Sequence, residues 1–236
     1  MSNFTNSSLI SMTRLSPHRN SPRNRPITKI TIHHAAGNIS LDALGNWLAR
    51  PATNASYNYG ISTDGQIGMF VEERNRSWAS SSPANDHQAI TIGVANNSGA
   101  PNWTVSEAAF ESLINLCVDI CQRNGIAELV YDGTPNRSLT RHNFFSNTTC
   151  PGPFLQSRFN EICRLVNERL NPPTTEEDIM QVKRYNTIDE VPDRARPTIQ
   201  KLIDKGALSG RGGELKDLSL DMIRIFVIHD RMGIYD

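Results

Sequence analysis

The chain has 236 residues, 38% hydrophobic and 20% charged, and its 24 basic and 24 acidic side chains cancel. That size suits one medium domain with a small appendage, enough to bury a real core. No run approaches the roughly 18 apolar residues of a membrane-spanning helix, so none is expected.

The start, Met1-Ser2-Asn3-Phe4-Thr5-Asn6-Ser7-Ser8, lacks the basic and apolar regions of a secretion signal, which predicts synthesis in the cytoplasm without a signal peptide. Residues 1–26 are polar and interrupted by Pro17, Pro22 and Pro26, so an extended arm or loop is expected, with the fold beginning near Ile27. Arg14, Arg19, Arg23, Arg25 and Lys29 all precede the first acid, Asp42. Such asymmetry can mark nucleic-acid binding, but no nucleic-acid motif accompanies it, and a solvated surface arm with no nucleic-acid partner is expected.

The β-branched run Ile30-Thr31-Ile32 reads as a strand that delivers His33 to its end, before the small-residue turn Ala35-Ala36-Gly37. Ser40 caps a helix with Leu41, Leu44, Trp47 and Leu48 on one face, ended by Pro51. Tyr57 to Ser62 and Gln66 to Val71 flank Thr63-Asp64-Gly65 as a hairpin, and Ala89 to Ala95 reads as a strand buried on both faces.

Thr104-Val105-Ser106-Glu107 has the form of a capping box, and Val105, Ala109, Leu113, Leu116 and Ile120 continue a helical stripe to Gly125. Glu128 to Tyr131 is expected as a short strand. Phe154, Leu155, Phe159, Ile162, Val166 and Leu170 mark a last amphipathic helix. Cys117, Cys121 and Cys163 fit reduced core residues. Strands interleaved with helices predict an α/β fold, a mixed central sheet flanked by helices.

These elements place one domain over 1–171. Pro172-Pro173-Thr174-Thr175-Glu176-Glu177-Asp178 has nothing apolar to bury and predicts a linker over 172–182. Residues 183–236 then form a small, mainly helical module, with Tyr185, Ile188, Val191, Ile199, Leu202 and Ile203 apolar and a helix from about Leu220 to Arg231 capped by Ser219.

His33, His142 and Cys150 offer two imidazoles and a thiolate, donors suited to Zn²⁺, and three protein ligands leave a fourth position open for water. With six histidines and four cysteines, spacing alone leaves alternatives, including Cys150 as an ordinary buried thiol or as a nucleophile paired with His142.

Ile32-His33, Ser56-Tyr57-Asn58-Tyr59, Asp64-Gly65, Ile92-Gly93-Val94, Arg141-His142 and Cys150-Pro151-Gly152 follow one another in this order. Together they resemble the zinc N-acetylmuramoyl-L-alanine amidases of the peptidoglycan-recognition-protein fold, over about residues 27 to 170. The resemblance implies His33, His142 and Cys150 as zinc ligands, and Tyr57 facing the metal-bound water. It implies Thr148 as a hydrogen-bond donor to the oxyanion, and Trp78, Asn85 and His87 in the segment that lines the substrate groove. His34 is not carried over, because adjacent strand residues point to opposite faces.

Many members of that family carry a glutamate in the strand where this chain has Gly93 and Ala95. A glutamate restored at whichever of the two faces the metal is therefore expected to raise turnover. The implied reaction is hydrolysis of the amide between N-acetylmuramic acid and L-alanine of peptidoglycan. Without a signal peptide, the implied role is a phage or prophage endolysin, made in the bacterial host cytoplasm and acting on the wall after release. The alternative is a non-catalytic peptidoglycan-binding protein of the same fold.

Tyr185-Asn186-Thr187-Ile188-Asp189-Glu190-Val191-Pro192, with Gly206-Ala207-Leu208-Ser209-Gly210, resembles part of an S-layer-homology repeat and implies binding of a cell-wall polymer. A single repeat buries its apolar face poorly, so self-association through residues 183–236 is the other expectation. Glu176-Glu177-Asp178-Ile179-Met180 would be encoded by purine-rich codons ahead of an ATG. It reads either as an acidic linker or as a ribosome-binding site that starts a free module at Met180.

Overall fold

The computed structural model describes residues 4–172, 184–208 and 217–235. The chain divides into two units, Met1–Pro172 and Pro173–Asp236. The expected linker, apart from Pro172, and the possible start at Met180 lie outside the described residues.

In the first unit the N-terminal segment is built into the fold, contrary to the extended arm expected of it. Met12–Thr13 (β1) and Arg19–Asn20 (β2) are short strands, followed by Lys29–His34 (β3), Leu41–Ala49 (α1), Tyr59–Ile61 (β4), Ile67–Met69 (β5) and Arg76–Ser77 (β6). Pro83–Asp86 (α2), Ala89–Val94 (β7), Glu107–Asn124 (α3), Leu139–Arg141 (β8), Pro153–Gln156 (α4) and Phe159–Leu170 (α5) complete it. The central sheet runs β1-β5-β4-β7-β3-β8, with β5 antiparallel to β4 and every other neighbouring pair parallel. It is a mixed sheet flanked by helices, and β2 pairs separately with β6.

Alternation along the two longest strands, β3 and β7, decides what each face does. Ile30 and Ile32 of β3 and Ile90, Ile92 and Val94 of β7 join α3 and α5 in the main core, with Leu113, Leu116, Ile120, Phe159 and Ile162. Thr31, His33, Thr91 and Gly93 occupy the alternate positions. There the Thr31 and Thr140 hydroxyls meet at 2.8 Å, and Thr91 meets Ser77 at 2.7 Å. A second, smaller core packs Leu41, Leu44 and Leu48 of α1 on Phe70.

Arg23, expected on a solvated arm, is 4% exposed. Its guanidinium donates to the carbonyls of Glu73, Asn75, Asp86, His87 and Ala89, which satisfies a buried charge with main-chain acceptors. Burial still lowers its pKa to about 10, against the pull of Glu73 and Asp86.

Three local expectations are corrected. Residues 128–131 form no strand: the Asn167 side chain takes both the N–H and the carbonyl of Leu129, at 2.8 and 2.9 Å, and the edge strand is β8 instead. The cap of α3 is Ser106, whose Oγ accepts from Ala109 N at 3.1 Å, while Thr104 Oγ1 donates to Asn97 Oδ1 at 2.6 Å. The last helix is two helices, because Ser157 Oγ donates back to the Phe154 carbonyl and Arg158 departs to φ −106° and ψ 4°.

In the second unit Arg184–Tyr185 (β9) pairs antiparallel with Leu218–Ser219 (β10), followed by Leu220–Arg231 (α7), with Arg196–Asp204 (α6) between the strands in sequence. Tyr185, Val191, Ala195, Ile199, Leu218 and Ile223 form a small core. Asp230 of α7 ties to α6 by accepting from Thr198 Oγ1 at 2.6 Å and Lys201 Nζ at 2.9 Å.

Candidate metal centre and cleft

His33 is the next-to-last residue of β3, opposite Gly93 of β7 in the register, and β8 ends at Arg141, so His142 emerges beside it. Cys150 is brought in by the loop that precedes α4. Its carbonyl accepts from Asn143 N at 3.2 Å and its Sγ accepts from His34 N at 3.3 Å. One ligand atom each from His33, His142 and Cys150 lie within 4.8 Å of one another. The two imidazole centroids are 4.6 Å apart.

His33 is fully buried, yet neither ring nitrogen has a hydrogen-bond partner among the described residues, and His142 Nε2 is in the same condition. Buried polar atoms are otherwise nearly always satisfied, so two orphaned imidazoles beside a thiol mark a place for something absent from the chain itself. Burial, then the neighbouring His142 and His34, hold the His33 pKa well below its usual value, and burial lowers that of His142. Both rings are therefore neutral and carry lone pairs. Burial pushes the Cys150 thiol up to about 12, partly offset by the N–H of His34. A divalent cation would displace that proton. Two neutral imidazoles and a thiolate form a donor set that fits Zn²⁺.

The adjacent histidine faces elsewhere. The His34 ring stands edge-on to Trp103, with centroids 4.9 Å apart, so its contribution at the cluster is its backbone N–H. Tyr57 lies just before β4, outside the strand alternation that would pair it with Tyr59. Its ring centroid is 5.2 Å from that of His33. Tyr59 instead lies in the main core, its hydroxyl donating to Glu73. Burial, then Cys150, raise the Tyr57 phenol pKa. Thr148 Oγ1 accepts from Cys150 N at 3.2 Å, which leaves its own proton free to donate.

Two clefts adjoin these residues. One, of about 330 Å³, is mostly apolar, with His34, Ala36, Ile39, Leu44, Trp47 and Tyr57. The other, of about 390 Å³, includes His142, Trp78, Arg76, Asn54, Ser81 and Ser82. Trp78 thus faces the cleft that reaches His142. Asn85 does not line it: the residue is 4% exposed and its Nδ2 donates to Thr31, Ser80 and Asp86, bracing the wall from behind. His87 lies outside both clefts, with its Nδ1 accepting from Asn24 N at 3.1 Å.

Sequence reasoning missed Asp86 and Arg76. The buried Asp86 carboxylate accepts from Ala79 N, Ser80 N and Ser80 Oγ and so shapes the loop that forms the cleft wall. An acid inside a four-residue helix carries no pattern that announces such a role. Arg76 sits on a two-residue strand whose partner belongs to the supposed arm.

A family model described as N-acetylmuramoyl-L-alanine amidase matches residues 23–153. No curated protein matches the sequence. Among solved structures, the chain is similar to PlyL, at 14% identity and a TM-score of 0.52, covering 66% of this chain and 96% of that one. It is similar to a selenomethionine derivative of AmpD, at 18% identity and a TM-score of 0.50, covering 66% and 95%. The Staphylococcus aureus hydrolase AmiA in complex with its ligand has 16% identity and a TM-score of 0.52, covering 72% and 86%. At these identities the likeness speaks for the fold.

Proposed function

This chain belongs to the N-acetylmuramoyl-L-alanine amidase family, and on that premise we propose that it is a zinc hydrolase cutting the amide bond between N-acetylmuramic acid and the L-alanine of the peptidoglycan stem. The observation that carries this reading is the buried His33 imidazole, with neither nitrogen partnered among the described residues, converging with the unpartnered Nε2 of half-buried His142 and with Cys150.

His33, His142 and Cys150 would hold the ion. Zn²⁺ bound there supplies a Lewis acid that acidifies water and polarises the scissile carbonyl. The protein does the rest by position. The His34 N–H stabilises charge on the Cys150 sulfur. Tyr57, a donor at neutral pH, stands beside His33 and supports the developing oxyanion, and the free proton of Thr148 does the same from the Cys150 loop. Trp78 offers an aromatic face to the substrate in the cleft beside His142.

The finer role is a phage or prophage endolysin, made in the cytoplasm of a bacterial host and reaching the wall after release. Residues 183–236 serve as a module that binds a wall polymer or self-associates. In favour of an associating surface, Met222, Ile225, Ile228 and Met232 of α7 and its end are 39 to 69% exposed.

A second reading, peptidoglycan binding without hydrolysis, has one observation in its favour, the lack of a carboxylate at Gly93 and Ala95. Digestion of purified cell walls followed by mass analysis of the fragments tests the first reading. Free N-terminal L-alanine on released stem peptides is the expected result. Wall binding with no new amine would leave the second reading in its place.

A further inference from the structure

The segment before residue 23 lies outside the family match, yet it bonds to residues that line the cleft beside His142. Strand β2 pairs with β6 in the register Arg19 to Ser77 and Asn20 to Arg76. Through that pairing the exposed Asn20 sets its Oδ1 between two cleft residues. It accepts from Trp78 Nε1 at 2.7 Å and from the Arg76 guanidinium. The same segment holds Trp78 from a second side, where the His18 ring lies 5.5 Å from the indole at 43°. Ser56 links the two backbones, its Oγ donating to the His18 carbonyl at 2.6 Å and accepting from Trp78 N at 2.9 Å.

We propose that Asn20 is a positioning residue for the substrate: a single side-chain oxygen fixes both Trp78 and Arg76 in the wall of the cleft. The inference rests on the amidase reading. Nε1–H is the indole's sole polar hydrogen, so this bond sets the rotation of the ring about its two side-chain torsions. Arg76 uses one terminal nitrogen on Asn20, and its buried Nε has no partner among the described residues. The bond to Asn20 therefore holds a flexible cation with donor capacity to spare, facing the cleft that bound substrate would fill. With Asn20 removed, both side chains must be ordered when substrate arrives, and that ordering weakens binding while leaving the cluster of His33, His142 and Cys150 unchanged.

The test uses the full-length, zinc-loaded protein and a soluble muramyl pentapeptide as probe. Asn20→Leu removes the acceptor and Asn20→Asp keeps one. Asn20→Leu should raise KM roughly tenfold, the scale of freeing two side chains, with kcat within about twofold of wild type. Asn20→Asp should restore KM to near the wild-type value. Quenching of tryptophan emission by the probe should weaken in Asn20→Leu in parallel with KM. An unchanged KM in Asn20→Leu, or a matched fall in kcat and thermal stability that Asn20→Asp does not repair, would overturn the proposal while the amidase reading stands. Wild-type protein that neither binds nor cleaves the probe would sink both.

Discussion

The ring of Tyr57 occupies the space that a side chain at Gly93 would need. A Cβ at Gly93 would lie 2.7 Å from two of the ring carbons, closer than real carbon atoms approach. Gly93 is also the register partner of His33. The bare position on β7 thus seats the tyrosine against His33, the proposed metal ligand, and this strand has no room for an acid there while Tyr57 stays in place.

Gly93→Ala should therefore destabilise the protein by about 1–3 kcal/mol, the usual cost of overpacking a tight site. The double variant with Tyr57→Ala should lose less than the sum of the two single changes, as read by urea denaturation. Gly93→Glu should lower turnover, contrary to the gain expected from sequence. Strict additivity in the cycle would show that the two residues do not compete for space.

Metal content divides the two histidines. His33→Ala, His142→Ala and Cys150→Ser should each lose bound zinc and wall-lytic activity together, since each removes one of the three proposed ligands. His34→Ala should keep both, because its ring packs on Trp103 and its backbone N–H is unaltered. Zinc analysis of the purified variants checks this, and loss of metal in His34→Ala would overturn the ligand assignment.

Tyr57→Phe preserves the ring that fills the space over Gly93, so zinc content and stability should hold. Turnover should fall by about 10²-fold, the scale of one lost hydrogen bond to a transition-state oxyanion. Unchanged steady-state kinetics on soluble substrate would reduce Tyr57 to a packing residue.

Arg23→Ala would leave five carbonyls around a vacated, buried guanidinium site. The expected loss is about 3–5 kcal/mol, as for other broken buried charge networks. Chemical denaturation of the full chain should show it in the first unit, with zinc still bound at low temperature. A change below about 1 kcal/mol would mean that water replaces the guanidinium without penalty.

In the second unit, hydrogen bonds from Thr198 and then Lys201 hold the Asp230 carboxylate below its ordinary pKa. A depressed carboxylate adds stability above its unfolded value, about 3.9, and loses it as pH falls through the folded value. Amide protection in α6 and α7, measured against the intrinsic exchange rate at each pH, should therefore fall as the medium is acidified below about pH 4. Asp230→Asn should flatten that response, and an acid limb of equal slope in the variant would assign it to other groups.

The sequence made some elements legible and hid others for definite reasons. Helix α3 carries an unbroken apolar stripe and ends at Gly125, which takes the left-handed φ of 69° that favours glycine. The β3 strand and the 59–69 hairpin have equally plain patterns. Strand β8 has three residues, too few for any periodicity, and its pairing comes from β3 more than a hundred positions away. The expected strand at 128–131 has suitable residues but loses its hydrogen-bonding groups to Asn167. Among the site residues, His33, His142 and Cys150 were visible as donors, but their convergence depends on β8 and on the 143–150 loop. Asn85 looked like a groove residue because it falls between strands, and only the packing shows its amide turned toward Thr31.

Strand β3 lies between β7 and β8, both of which follow it in the chain, and the contact from His34 to Cys150 spans 116 residues. During synthesis the strand that carries His33 therefore leaves the ribosome with neither neighbour available. Non-local pairing of this kind closes slowly and leaves strand edges open in the meantime. A chain released before β8 would not be a weaker version of this protein. It would hold His33 on a strand lacking one of its two neighbours, material for aggregation or proteolysis.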